Sequence, residues 1–111
     1  MTNYKKYKAH LRKIKDINLA VSVLHWDQEV NMPPKGAHFR AQQLATLSEI
    51  SHTFSVDADY GKLLKKLDGD GNLSEDEMRN VELSLIAFRK SQKYTTEFVK
   101  NYSVSVSEAY Q

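Results

Sequence analysis

No cysteine occurs in the 111 residues, which excludes disulfides and thiolate metal ligands and suits a reducing compartment. Proline is almost as scarce, and the only two, Pro33 and Pro34, are adjacent, so one proline break interrupts an otherwise helix-permissive chain. With four glycines, two of them in one short run, there is no flexible linker to divide domains, and no repeat or low-complexity tract is present. No apolar stretch approaches the ~20 residues of a membrane span, and the basic N-terminus leads into no run suited to a signal peptide. These absences point to a single domain, residues 1–111, expected to be soluble and cytoplasmic with no membrane partner.

What is present is ordinary in amount and uneven in placement. A hydrophobic share of 41% and a charged share of 27% match globular averages, so neither disorder nor a fibrous repeat is indicated. A domain of this length buries roughly 60 to 70% of its unfolded surface, enough for a modest core. Net charge is only +2, yet Lys5, Lys6, Lys8, Arg12, Lys13 and Lys15 crowd the beginning of the chain against Asp16 alone. Interleaved with Tyr4, Tyr7, Leu11 and Ile14, that stripe suggests an acidic partner or a phosphate backbone. The solvated-face reading is preferred, and no nucleic acid is expected.

Periodicity predicts an all-α fold, an antiparallel array of four or five helices with a long first helix. Tyr4, Tyr7, Leu11, Ile14, Ile17, Val21 and Leu24 recur at three- and four-residue steps and place one stripe on a helix running to about Glu29. Such a helix spans on the order of 40 Å, longer than a domain of this size needs, which leaves part of it to seek another partner. The prolines stop it, and Pro34 or the segment just after it starts a second helix with Ala37, Ala41, Leu44, Leu47 and Phe54 inward. Asp57 caps a third, carrying Tyr60, Leu63, Leu64 and Leu67. Ser74 with Glu77 forms a capping box for a fourth, bearing Met78, Val81, Leu85 and Phe88. Thr95 or Thr96 caps a fifth with Phe98, Tyr102, Val106 and Ala109. Ser103 to Ser107 alternates as a strand does, but with no partner strand the helical pattern prevails.

Chemistry-bearing patterns are few. Residues 66–77 can be laid on a twelve-position calcium loop, with Asp68, Asp70, Asn72, Ser74 and Glu77 as ligands and Gly71 at the sharp turn. Lys66 occupies the first position, where a carboxylate belongs, so a solvated turn followed by a helix cap is the favoured reading. His10, His25, His38 and His52 form no H-E-x-x-H pattern and no pair at helical spacing. Asp27 and Glu29 lie about 200° apart on a helix and cannot act as a carboxylate pair. No phosphate loop, nucleophile elbow or cysteine nucleophile occurs.

Trp26-Asp27-Gln28-Glu29-Val30-Asn31-Met32-Pro33-Pro34, followed by Gly36-Ala37, Arg40, Gln43 and Leu44-Ala45-Thr46-Leu47, resembles the carboxypeptidase Taq family of zinc enzymes. The resemblance extends through the leucine-rich third helix to the Leu-Ser-x-x-Glu start at Leu73 to Glu77. Val30 departs from the family's usual threonine, and the Asp-Gly-Asp-Gly run replaces a more generally acidic loop. The resemblance implies a large all-α metallocarboxypeptidase that removes C-terminal residues from peptides. Its zinc-binding H-E-x-x-H and substrate-carboxylate residues lie far downstream of the matched region, so zinc is implied for the full-length enzyme and no cofactor for this chain.

The role implied here is groove wall or lid, inactive alone, with Trp26, Asp27, Gln28 and Glu29 as candidates for a face toward the groove and with no catalytic residue. Periodicity alone reads Trp26 as a core anchor, Asp27 and Gln28 as bonded to nearby backbone, and Met32 as a gap-filler. Expected partners are the rest of the carboxypeptidase chain or another copy of this one, with peptide as substrate of the full enzyme. The alternatives are a free-standing helical interaction module with a basic first helix, or a degenerate calcium-loop protein.

Overall fold

A computed structural model describes residues 2–30 and 34–108; the side chains of residues 34, 96, 97 and 105–108 lie outside that description. Five α-helices and one 3-10 turn account for most of it: α1 Asn3–Val30, the turn Pro34–Gly36, α2 Ala37–Ser55, α3 Ala58–Leu67, α4 Glu75–Ser91 and α5 Thr96–Glu108. No strand occurs among the described residues, so the all-α reading holds, including helix through the Ser103 to Ser107 alternation.

Local chemistry sets the helix boundaries. The Asp57 carboxylate accepts from Tyr60 N at 2.9 Å and opens α3. Ser74 and Glu77 close the reciprocal box, Ser74 N donating to Glu77 Oε1 at 2.9 Å and Glu77 N to Ser74 Oγ at 3.1 Å, which satisfies two donors the first turn would otherwise orphan. Thr95 Oγ1 accepts from Phe98 N at 3.0 Å. Between α3 and α4 the backbone needs one left-handed residue, and Gly69 supplies it at φ 85°. Of the predicted positions, Asn31, Met32, Pro33 and Ala109 lie outside the described residues, as does the Val106 side chain.

Cross-helix bonds fix the topology. Arg40 meets Leu24 and Asp27, Ser51 meets Asn18, and His10 meets Phe54, so α2 runs back antiparallel along α1. His52 pairs with Tyr94, Glu49 with Lys100 and Ser48 with Ser103, so α5 is antiparallel to α2 in turn. Tyr7 reaches Asn80 and Ser84, whereas Ile14 shares a small cavity with Phe88 and Ser91. α4 therefore travels in the same sense as α1, and α5 continues in that sense beside α2. End-to-end placement of α4 and α5 makes the molecule long, 54 × 24 × 20 Å with a radius of gyration of 16.5 Å, against about 13 Å for a compact domain of this length.

The core sits at one end. Tyr7 and Ile14 of α1 meet Tyr60, Leu64 and Leu67 of α3 and Val81, Leu85 and Phe88 of α4. Met78, placed on the inward face of α4 by periodicity, is exposed instead, because it stands in the first turn of α4, ahead of Val81, the first buried residue of that helix. At the other end small side chains do most of the packing: Ala37, Ala41 and Ala45 are buried on α2 around Leu44, which lets α1 and α5 approach it closely.

Two consequences of the larger core are measurable. A Cβ on Gly61 falls 2.4 Å from Phe88 Cζ, in a buried ring that cannot swing to solvent. Gly61→Ala is therefore expected to lower stability by about 1 kcal/mol, since overpacking of about 1–3 kcal/mol exceeds the helix-propensity gain of about 1 kcal/mol; denaturant midpoints check it. Burial holds the phenols of Tyr7 and Tyr60 protonated above their ordinary range, partly offset by the nearby Ser84 hydroxyl, with the neighbouring phenol adding to the rise. A raised folded-state value means that this contribution is complete below the unfolded value and disappears as pH climbs through the folded one. Thermal melts are expected to fall above about pH 10, and less steeply in Tyr60→Phe.

Candidate functional site

The Trp26-Asp27-Gln28-Glu29 segment occupies the last turn and a half of α1, where α2 folds back against it. Four consecutive helical residues point to four directions about 100° apart, and the structure separates them accordingly. Gln28 is buried, Asp27 half-buried, and Trp26 and Glu29 are exposed.

Asp27 is held by Arg40, one helical turn into α2. Arg40 Nη1 donates to Asp27 Oδ2 at 2.9 Å and to the carbonyl of Leu24 at 3.0 Å, while Nε donates to Gln43 Oε1 at 3.1 Å. One planar guanidinium thus ties the end of α1 to the start of α2 through two acceptors on α1 and is itself oriented by a third, Gln43, on α2, a geometry that lysine cannot copy. The Arg40 side chain is 15% exposed and that of Asp27 38%, so the pair is sheltered but hydrated on the carboxylate side. The sequence reading gave Asp27 a backbone partner; its partner is this side chain, thirteen residues away, beyond the reach of helical spacing rules.

Trp26 corrects the periodicity reading more sharply. It is 62% exposed and is no core anchor, because it follows Leu24 by two positions and so lies about 200° around the helix. It belongs to a second apolar stripe, Leu19, Val23, Trp26 and Val30, whose members are 64%, 62%, 62% and 56% exposed. The four-, three- and four-residue steps of that stripe were the available signal. On the adjoining surface, Leu24 of α1 and Phe39, Gln43 and Leu47 of α2 bound a shallow open depression.

The described residues do not fit a resident zinc. The Nε2 atoms of His10 and His52 are each 2.8 Å from a backbone carbonyl, of Phe54 and Tyr94 respectively, and His10 is stacked on Tyr60 at 4.2 Å. His38 stands edge-on to Phe39. Among the described residues no three His, Cys, Asp or Glu side chains converge where a metal ion can be held.

The Asp68 to Glu77 run has the geometry of a turn and a cap. Asp70 Oδ1 accepts from Asn72 N at 3.0 Å, and Glu77, laid on the bidentate calcium position, turns back to the Ser74 amide. The left-handed residue is Gly69, the fourth position of the alignment, rather than Gly71 at the sixth.

The model of the carboxypeptidase Taq (M32) metallopeptidase family matches residues 6–111. Thermostable carboxypeptidase 1 of Pyrococcus furiosus is 34% identical over 105 residues, 95% of this chain and 21% of that protein. Carboxypeptidase 1 of Bacillus subtilis is 27% identical over 100 residues, 89% of this chain and 20% of that protein. A solved structure, "The Structure of CHT", superposes at a TM-score of 0.82 with 38% identity, over 99% of this chain and 22% of the other. The chain thus spans about a fifth of the length of the relatives it matches.

Proposed function

The chain belongs to the carboxypeptidase Taq (M32) metallopeptidase family, as the counterpart of its N-terminal region, and on that premise we propose that it forms a wall or lid of the peptide groove in a cytoplasmic, zinc-dependent carboxypeptidase. Catalysis and zinc belong to the rest of that enzyme, the proposed partner of this chain, and the 111 residues alone are inactive.

One observation carries the reading. Trp26 projects from a helix end whose position is fixed from behind by Arg40 and Asp27, so a large amphipathic ring is offered outward on a rigid mount. An aromatic surface beside the exposed Glu29 carboxylate can contact a peptide chain without taking part in bond breaking, which is the role of a gating or positioning element.

The test uses a chimera in which this chain replaces the matching stretch of the Pyrococcus furiosus enzyme. Trp26→Ala in that background is expected to raise KM for peptide several-fold with kcat little changed, the signature of lost substrate binding rather than lost chemistry. Unchanged KM and kcat would remove Trp26 from the groove.

A further inference from the structure

The turn between α3 and α4 serves neither the core nor the groove-wall role. Residues 68–71 read Asp-Gly-Asp-Gly, the only two Asp-Gly pairs in a chain that has no Asn-Gly. Glycine after aspartate matters chemically, because its main-chain nitrogen has no side chain crowding it and its backbone turns freely. Such a nitrogen can attack the side-chain carboxyl of the residue before it.

The two pairs differ in geometry. Asp68 closes α3, its N–H donating to the Leu64 carbonyl at 2.9 Å, and its ψ of 117° turns the Gly69 nitrogen away from the Asp68 side chain. Gly69 in turn sits at φ 85°. Asp70 is arranged the other way. Asn72 N donates to Asp70 Oδ1 at 3.0 Å, and Leu73 N donates to the Asp70 carbonyl at 3.3 Å. The first bond folds the side chain over the main chain in an Asx turn, whose hydrogen-bonded ring contains both Asp70 Cγ and the Gly71 nitrogen. The atoms that would react are thereby held on one side, which removes part of the entropic barrier. Gly71 N makes no hydrogen bond to the described residues, Gly71 is exposed, and nothing lies within 4 Å of where its Cβ would stand. Its peptide plane is free to complete the approach.

We propose that Asp70-Gly71 is a site of spontaneous isoaspartate formation. The Gly71 nitrogen bonds to Cγ of the protonated Asp70 carboxyl, and the amide proton and the carboxyl hydroxyl leave together as water, which closes a five-membered succinimide. Water then opens the ring. Cleavage of the nitrogen's bond to Cγ restores aspartate; cleavage of its bond to the main-chain carbonyl carbon leaves the chain running through Cγ, with a free α-carboxylate. Nothing is oxidised or reduced, and the mass returns to its starting value. The product carries one more carbon in its main chain, so the Asx bond is lost and the turn lengthens just ahead of the Ser74 cap. This chemistry needs only the turn, so it stands or falls separately from the groove-wall reading.

Ageing the folded 111-residue chain at physiological temperature and digesting it with trypsin tests the proposal, because Lys66 and Arg79 bound a peptide, residues 67–79, that holds both pairs. Isoaspartate is expected as a second peak of unchanged mass, preceded by a minor species lighter by one water. Electron-transfer fragmentation is expected to place it at Asp70 several-fold more often than at Asp68. Ageing in urea, which releases both pairs from the turn, is expected to bring the two positions level. Gly71→Ala is expected to slow formation at Asp70 at least tenfold, since the added Cβ crowds the attacking nitrogen, while the open surroundings leave the fold intact. Equal yields at the two positions in the folded chain, a majority at Asp68, or formation at Asp70 that Gly71→Ala does not slow would overturn the proposal. So would an aged folded chain without isoaspartate, or a preference for Asp70 that persists in urea.

Discussion

Phe88→Ala is expected to remove about 3–5 kcal/mol of unfolding free energy, a large part of the roughly 5–15 kcal/mol that holds a domain of this kind together. The ring lies where three helices meet. It stands edge-on to Tyr60 at 6.1 Å and is close enough to Gly61 that only a glycine fits beneath it. Removing it leaves a void that Leu64, Leu85 and Ile14 cannot close without breaking their own packing. The loss also reaches the polar contact next to it, since Tyr7, whose hydroxyl donates to the Asn80 carbonyl and shares a hydrogen bond with Ser84, depends on the same packing for its position. Urea unfolding by far-UV circular dichroism gives the value. A loss below about 1.5 kcal/mol would show that the large core is more plastic than its close packing implies.

Arg40→Ala acts at the opposite end and through charge rather than volume, at an expected loss of about 2 kcal/mol. Hydrogen bonds involving a charged group contribute about 1.5–3 kcal/mol, and three acceptors lose theirs together. The estimate stays at the lower end because the Asp27 side chain is 38% exposed and is resolvated by water once its partner is gone. The location of the damage is as informative as its size. Hydrogen exchange is expected to accelerate from Leu24 through Gln43 while the amides around Leu64 and Val81 stay protected, because the two packing centres share α1 but few side chains. Arg40→Lys is expected to recover little, since an ammonium reaches one of the three acceptors at a time. Uniform acceleration across the chain would mean that the two ends unfold as one unit.

Much of the architecture is legible in the sequence because its signals are local. Asp57, the Ser74 and Glu77 box and Thr95 each announce a helix start through a hydrogen bond made three residues away. Pro34 marks the break between α1 and α2, with a 3-10 turn from Pro34 to Gly36 leading into the second helix. Position relative to other helices is a different kind of fact. Periodicity shows the inner stripe of α1 but not which stripe its neighbours cover, so it reads Trp26 as inward although Trp26 belongs to a second apolar stripe on the exposed face. The same limit applies to Met78, which fits the spacing of α4 yet stands ahead of Val81, where the buried face of that helix begins. The site is legible in parts: Trp26, Asp27, Arg40 and Gln43 all belong to the motif that carries the family resemblance, whereas the bonds from Arg40 to Asp27 and Gln43 emerge only when α2 folds back on α1.

The elongated shape connects fold to function. A chain with a radius of gyration of 16.5 Å exposes more surface than its length requires, and the apolar stripe on α1 concentrates that surface along one helix. Contiguous apolar patches of this kind mark interaction faces, which agrees with a part that completes a larger enzyme.

Steady-state release of C-terminal residues by the zinc-loaded Pyrococcus furiosus chimera, run beside the isolated 111-residue chain with added zinc, tests the account most directly. The account predicts kcat/KM within about tenfold of the parent enzyme for the chimera and no release by the isolated chain. A folded chimera with no activity, or peptide turnover by the isolated chain, would contradict it.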